Sequence, residues 1–296
     1  METSVSVVIA SRNEGPRLAA TVAAICHELP QTGQVIVVDD ASNDSSADNV
    51  HALDARVVVT HARHRLGVAR ARNLGARLAV GEVLIFSDAH VRPSSDWWAP
   101  LGKELRRDGV GAVGPALVDG PAGFRGYGLT FTDLATNLAW LDRQGDSAYP
   151  IPLVPGFFLA VRRDVFHQVG GFDSAMHGWG MEDNEFSVHL WTRGFECLIV
   201  PTVEVIHDRT VRVYHSDWAN GLHNILRLGL VHFSGARLQG MLDHYSTDPL
   251  FPAALTAVLD GDLGRRRDHV HSTRCRDDGW YFQAWPLVGS YPAQGH

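Results

Sequence analysis

Apolar residues fall in short continuous runs through the first third of the chain, and each run ends in a polar or acidic step. Residues 5–10 (Val-Ser-Val-Val-Ile-Ala), 34–38, 57–60 and 83–86 are the clearest of these runs. Runs of this length, rich in β-branched residues, predict strands buried on both faces. Helical patterns lie between them. Pro16 opens one that extends to about residue 29, and residues 67–80 form another, with Val68, Leu74 and Leu78 facing the core and Gly81 closing it. Strand and helix in alternation predict an α/β fold around a mostly parallel, doubly wound central sheet with flanking helices.

The pattern then loosens. Residues 96–107 read as a helix, and 109–128, rich in Gly and Pro, as loop with short strands. A strand is expected over 153–161, broken early at Pro155-Gly156, followed by a short helix over 164–169 that Asp164 caps. A helix over 184–192, strands over 195–200 and 203–207, and an amphipathic helix over 216–230 come next. After Asp260 the chain is charged, then rich in aromatics, Gly and Pro, and a weakly structured tail is expected. Arg265-Arg266-Arg267, flanked by Asp262 and Asp268, reads as a solvated turn.

Charge narrows the partners. Twenty-six basic against 33 acidic residues leave a net −7 over 296 residues, with no basic stripe of the kind that nucleic acid or an anionic membrane selects. No apolar run approaches the roughly 20 residues of a membrane span. Cys26, Cys197 and Cys275 are odd in number and lack CxxC spacing, which fits a reducing compartment. The first residues carry no basic-then-apolar leader. A cytoplasmic location is expected.

Acidic residues and histidines gather at predicted strand ends, where open α/β sheets bind ligands. Asp88 and His90 follow the 83–86 strand two residues apart, so both can point to one side. A helix cap and a surface histidine would look the same in isolation; behind a buried strand, the pair predicts a divalent cation site. His207, ending another apolar run, is a candidate third ligand. Mixed oxygen and nitrogen donors suit Mn²⁺ better than Mg²⁺. Asp39 and Asp40 could cap the next helix, or accept from a nucleotide base or ribose. One of Arg65, Arg70 and Arg72 could pair with a pocket carboxylate or with phosphate; for Arg70, surface exposure is the alternative. Glu182 and Asp183 open a helix whose dipole favours an ionised Asp183, as a general base requires; plain capping is the alternative. Trp179 offers a platform for a sugar ring, and Gly156 is placed on the same sugar and acceptor side.

Taken in order, these motifs resemble the family 2 glycosyltransferases of the GT-A fold. They include Ser11-Arg12-Asn13-Glu14, Val38-Asp39-Asp40-Ala41-Ser42, Ala71-Arg72-Asn73-Leu74-Gly75, Gly170-Gly171-Phe172-Asp173 and Trp179-Gly180-Met181-Glu182-Asp183-Asn184-Glu185-Phe186. The resemblance spans residues 5–210. It implies a GT-A domain over 1–212, with a nucleotide-binding half (1–107) and an acceptor and catalytic half (108–212). Helices over 213–260 and a loop-rich tail over 261–296 would follow. It maps the base-contacting aspartate onto Asp40. The family's usual second acid is replaced by His90, and this Asp-x-His pattern is similar to the polypeptide N-acetylgalactosaminyltransferases. Those enzymes retain anomeric configuration and carry Glu-Asn where this chain has Glu182-Asp183, a pair like that of inverting transferases.

The expected activity is metal-dependent transfer from a nucleoside diphosphate sugar, with UDP favoured, to an acceptor that could be a peptide or protein. Asp183 is the base of an inverting reaction, with Glu182 beside it. Asp88, His90 and His207 hold the metal. Asp39, Asp40, Arg65, Arg72 and Asp88 serve the nucleotide. A retaining transferase, a non-catalytic sugar-nucleotide binder and, more weakly, a nucleotidyltransferase are the alternatives. The last would call for a Gly-rich basic phosphate loop, which residues 12–14 do not offer.

Overall fold

In the computed structural model, which describes residues 4–119, 123–208 and 218–289, the first half runs β1 (Val5–Ser11), α1 (Pro16–Glu28), β2 (Gln34–Asp39), β3 (Val57–His61), α2 (Val68–Leu78), β4 (Val83–Ser87), β5 (Val91–Pro93) and α3 (Trp98–Leu105). The second half continues with β6 (Val110–Asp119), β7 (Phe124–Gly126), β8 (Leu129–Phe131), β9 (Leu138–Trp140), β10 (Tyr149–Pro150), β11 (Phe158–Arg162), α4 (Arg163–Gln168), α5 (Glu182–Thr192) and β12 (Glu196–His207). Five helices follow: α6 (Trp218–His232), α7 (Gly235–Tyr245), α8 (Phe251–Leu259), α9 (Leu263–Thr273) and α10 (Asp278–Ala284). The expected boundary at 212, the first two residues of the helix expected from 216, and the end of the chain beyond 289 lie outside the described residues.

The continuous apolar runs have a direct cause. Val5, Val7 and Ile9 of β1, Val35 and Val37 of β2, and Val83 and Ile85 of β4 pack into one core layer with α1 and α3. The residues between them (Val8, Ile36, Val38, Leu84, Phe86) face a second layer, shared with α2, α5 and the carboxy-terminal helices. Strand order is β10-β12-β6-β11-β4-β1-β2-β3. Strands β1 to β4 are mutually parallel where they pair, whereas β11 runs antiparallel to both β4 and β6. The sheet is therefore mixed: β1 to β4 pair in parallel, as do β6 and β12, and the reversed β11 joins these two parts.

Several expectations change, and Leu78, expected to face the core, is 43% exposed. Residues 110–119, expected within a loop-rich stretch, form a ten-residue strand near the sheet centre. Its glycines are sites of close packing: a Cβ at Gly111 would lie 2.8 Å from Phe195 Cβ, and one at Gly114 2.7 Å from Val154 Cγ1. The two strands expected over 195–200 and 203–207 are one strand, β12, whose register against β6 shifts between Val200 and Glu204. The tail expected to be weakly structured after Asp260 holds α9 and α10, docked through the buried Leu263, Val270 and Tyr281. Arg265 to Arg267 are helical, not a turn. Only Arg265 is exposed; Arg266 pairs with Glu185, and Arg267 donates to the carbonyls of Leu230 and Phe233. Internal partners take up charge that local composition assigns to solvent.

Candidate active site

Strand pairing builds a candidate cation site. Asp88 follows β4 directly, and its amide donates to the Phe157 carbonyl at 2.9 Å. Strand β12 runs antiparallel to β5 and sets His207 opposite Val91, next to His90. The two imidazoles meet edge to face, 4.8 Å between centroids. One donor atom from each of Asp88, His90 and His207 lies within 4.8 Å of the others. Asp88 Oδ2 is 3.1 Å from His207 Nε2, and His207 Nδ1 is buried with no hydrogen-bond partner among the described residues. Burial alone would raise the Asp88 carboxyl, but the His207 bond and the Arg72 charge more than offset it and hold it well below the usual carboxylate range. An ionised carboxylate with two convergent imidazoles fits a divalent cation of the Mn²⁺ type.

Glu14 stands behind this trio. Its Oε2 lies 3.3 Å from His90 Nδ1, with both side chains buried. Burial opposes charge on His90, yet Glu14 and Asp88 raise its pKa overall. A carboxylate behind a ligating histidine fixes ring orientation and tautomer. Sequence reasoning placed Glu14 in a motif but gave it no role, because the contact joins segments 76 positions apart.

Arg72 is the hub of the second group. It is 2% exposed and donates to Asp88 Oδ1 at 2.9 Å, Glu182 Oε1 at 3.0 Å and the Gly156 carbonyl at 2.7 Å. It thus links the cation trio to the start of α5. Asp183 Oδ2 accepts from the Gly156 amide at 2.6 Å, and its Oδ1 from the Asn184 amide at 2.9 Å. Burial raises the Asp183 carboxyl, with Arg72 and the amides opposing. Burial, then the neighbouring Asp183, pushes Glu182 up to about 7. The structure therefore brings together Asp88, His90, His207, Arg72, Glu182, Asp183 and Gly156.

The remaining candidates are placed differently. Both oxygens of Asp40 accept from backbone amides, from Leu66 and, at 3.0 Å, from Gly67. Asp39 accepts from the Ser42 amide at 3.2 Å and lies 3.0 Å from His61 Nδ1. Arg12 donates to the carbonyls of Asp40 and Ala41, at 2.8 and 3.1 Å, and ties the ends of β1 and β2 together. Arg65 is exposed on the loop that Asp40 holds. That loop abuts the one carrying Trp179, since the Val68 amide donates to the Gly178 carbonyl at 2.8 Å. Trp179 is 52% exposed beside it. Arg70, also exposed, donates to the Ser174 carbonyl.

Comparison with known proteins identifies the family and the fold. The profile of glycosyl transferase family 2 matches residues 6–170, and that of the N-terminal domain of galactosyltransferase matches residues 144–216. Polypeptide N-acetylgalactosaminyltransferase 6 of Mus musculus is 31% identical over 303 residues, covering 93% of this chain and 48% of its own length. Probable N-acetylgalactosaminyltransferase 8 of Caenorhabditis elegans is 26% identical over 311 residues, covering 95% of this chain and 71% of its own. Among solved structures, GalNAc-T7 with UDP, GalNAc and Mn²⁺ superposes with a TM-score of 0.80 at 22% identity, over 96% of this chain and 58% of that one. The mannosyltransferase PcManGT from Pyrobaculum calidifontis, with GDP-Man and Mn²⁺, superposes with a TM-score of 0.61 at 20% identity, over 97% of this chain and 82% of that one. These two likenesses identify the GT-A fold. Among the described residues, no helix is long and apolar enough to cross a membrane.

Proposed function

We propose that this chain, which belongs to glycosyl transferase family 2, moves a sugar from a nucleoside diphosphate sugar to an acceptor hydroxyl in a divalent-metal-dependent reaction. The convergence of Asp88, His90 and His207 at the ends of β4 and β12 carries this reading. UDP is the favoured nucleotide and Mn²⁺ the favoured ion, supported by the GalNAc-T7 complex. A peptide or protein acceptor is supported by the names of the relatives. Three free thiols, two of them buried, support a reducing, cytoplasmic setting.

Asp88, His90 and His207 would hold the ion, which when bound supplies Lewis-acid neutralisation of charge on the diphosphate. The chain's own residues do the rest. Arg72 fixes Asp88 relative to Glu182. Asp183 takes the acceptor proton as the acceptor oxygen bonds to the anomeric carbon and the diphosphate oxygen departs, giving inversion. The raised carboxyl of Asp183 suits it to that task, while the Gly156 and Asn184 amides aim it. Arg65, Asp39 and Asp40 frame the nucleotide side, and Trp179 the acceptor side. One observation favours retention instead: each Asp183 oxygen already accepts a backbone amide, as a purely structural carboxylate would.

The test is donor turnover. UDP-, GDP- and dTDP-sugars are incubated in parallel with Mn²⁺ or with EDTA, and nucleoside diphosphate release and the product anomer are read by NMR. Mn²⁺-dependent UDP release is expected. Binding without release identifies a non-catalytic binder, and indifference to EDTA removes the metal from the reaction.

A further inference from the structure

The segment 173–185 carries Trp179, Glu182 and Asp183, and helices that follow the sheet hold it at three places. At its start, Asp173 is 3% exposed and accepts from Arg227 of α6, Nε at 2.7 Å and Nη2 at 2.9 Å. In its middle, Asn224 of α6 donates Nδ2 to the carbonyls of His177 and Gly180, at 2.8 and 2.9 Å. The Asn224 Oδ1 accepts the His177 amide at 2.8 Å. At its end, the fully buried Glu185 accepts from Arg266 Nη2 of α9 at 2.8 Å and lies 2.8 Å from His232 Nε2 of α6. Arg266 Nε is also 3.8 Å from Asp173 Oδ2, so one guanidinium spans both ends.

The backbone between these anchors needs outside support. Gly178, Gly180 and Met181 all have positive φ, of 58°, 103° and 70°. A left-handed methionine directly before Glu182 persists only where its surroundings over-determine it. The cation trio, by contrast, rides on β4 and β12 and makes none of these contacts.

We propose that α6 and α9 form a clamp that positions segment 173–185, with Asn224 and Arg266 as positioning residues for the acceptor side of the reaction. What the segment does rests on the transferase reading above; that it is clamped does not. A displacement of about 1 Å at a reacting group costs about a hundredfold in rate, so the clamp acts chiefly on turnover, although Arg72 joins the segment to the trio through Glu182 and Asp88.

The test uses the full chain with Asn224→Ala and Arg266→Lys, the second retaining the charge in case the first fails to fold. Three quantities are measured: amide hydrogen exchange, Mn²⁺–UDP affinity by calorimetry, and the kcat of sugar transfer. Exchange at residues 177–181 should accelerate by about tenfold or more while β1 to β4 stay protected. Transfer kcat should fall by about a hundredfold, with Mn²⁺–UDP affinity within about threefold of the wild type. Unchanged exchange in the segment, or affinity falling in step with kcat, overturns the clamp. A wild-type chain that binds no Mn²⁺–UDP sinks the donor reading, and hydrogen exchange alone then decides the clamp.

Discussion

The Gly156 amide donates to Asp183 Oδ2 at 2.6 Å, and position 156 has no room for a side chain: a Cβ there would lie 2.8 Å from Arg72 Nη1 and 3.0 Å from Asp183 Oδ2. Glycine lets the backbone approach both groups. Gly156→Ala should therefore displace the hub rather than the fold. We predict a fall of about a hundredfold in transfer kcat, with a folding cost of about 1–3 kcal/mol for overpacking. Steady-state kinetics and urea unfolding of the same variant check the two parts separately.

Removing the proposed base tests the chemistry itself. Asp183→Asn should lower kcat by about 10²–10⁴. Because burial raises the Asp183 carboxyl, the acidic limb of the wild-type kcat/KM profile should lie above the ordinary aspartate value, and the variant should lose it. An Asp183→Asn enzyme with undiminished transfer would assign this carboxylate to structure and favour retention.

Glu182 makes stability depend on pH. Folding raises its pKa from 4.5 to about 7. Between those values the folded state keeps the proton that the unfolded chain releases, so this group's contribution to stability falls as pH rises through that window. Glu182→Gln, always neutral, should lack this slope. Urea midpoints across the window, wild type against variant, provide the measurement; parallel curves would remove Glu182 as the cause.

Metal affinity separates ligand from support. His207→Ala should weaken Mn²⁺ binding by more than about a hundredfold, as loss of one of three protein ligands requires. Glu14→Gln, which neutralises the group behind His90 and also its pairing with Arg17, should weaken it by about 10–100-fold. Titration of Mn²⁺ followed by electron paramagnetic resonance reads both directly. Equal affinity in Glu14→Gln and wild type would show that His90 needs no carboxylate behind it.

Much of the sheet was legible in the sequence because a strand buried on both faces leaves an uninterrupted apolar run, as residues 5–10 and 83–86 do. The residue types that converge in the candidate cation trio were legible too, since Asp88, His90 and His207 each follow such a run. The strand through Gly111 and Gly114 was not, because those glycines are explained by Phe195 and Val154, which local composition does not reveal. Nor was the docking of α9, where Arg266 finds its counter-charge on Glu185, 81 positions away. Sequence by itself determined the periodicities and the chemical types at the strand ends. Only the tertiary structure decided which carboxylate meets which cation, because ion pairing depends on distance in space and leaves no local pattern along the chain.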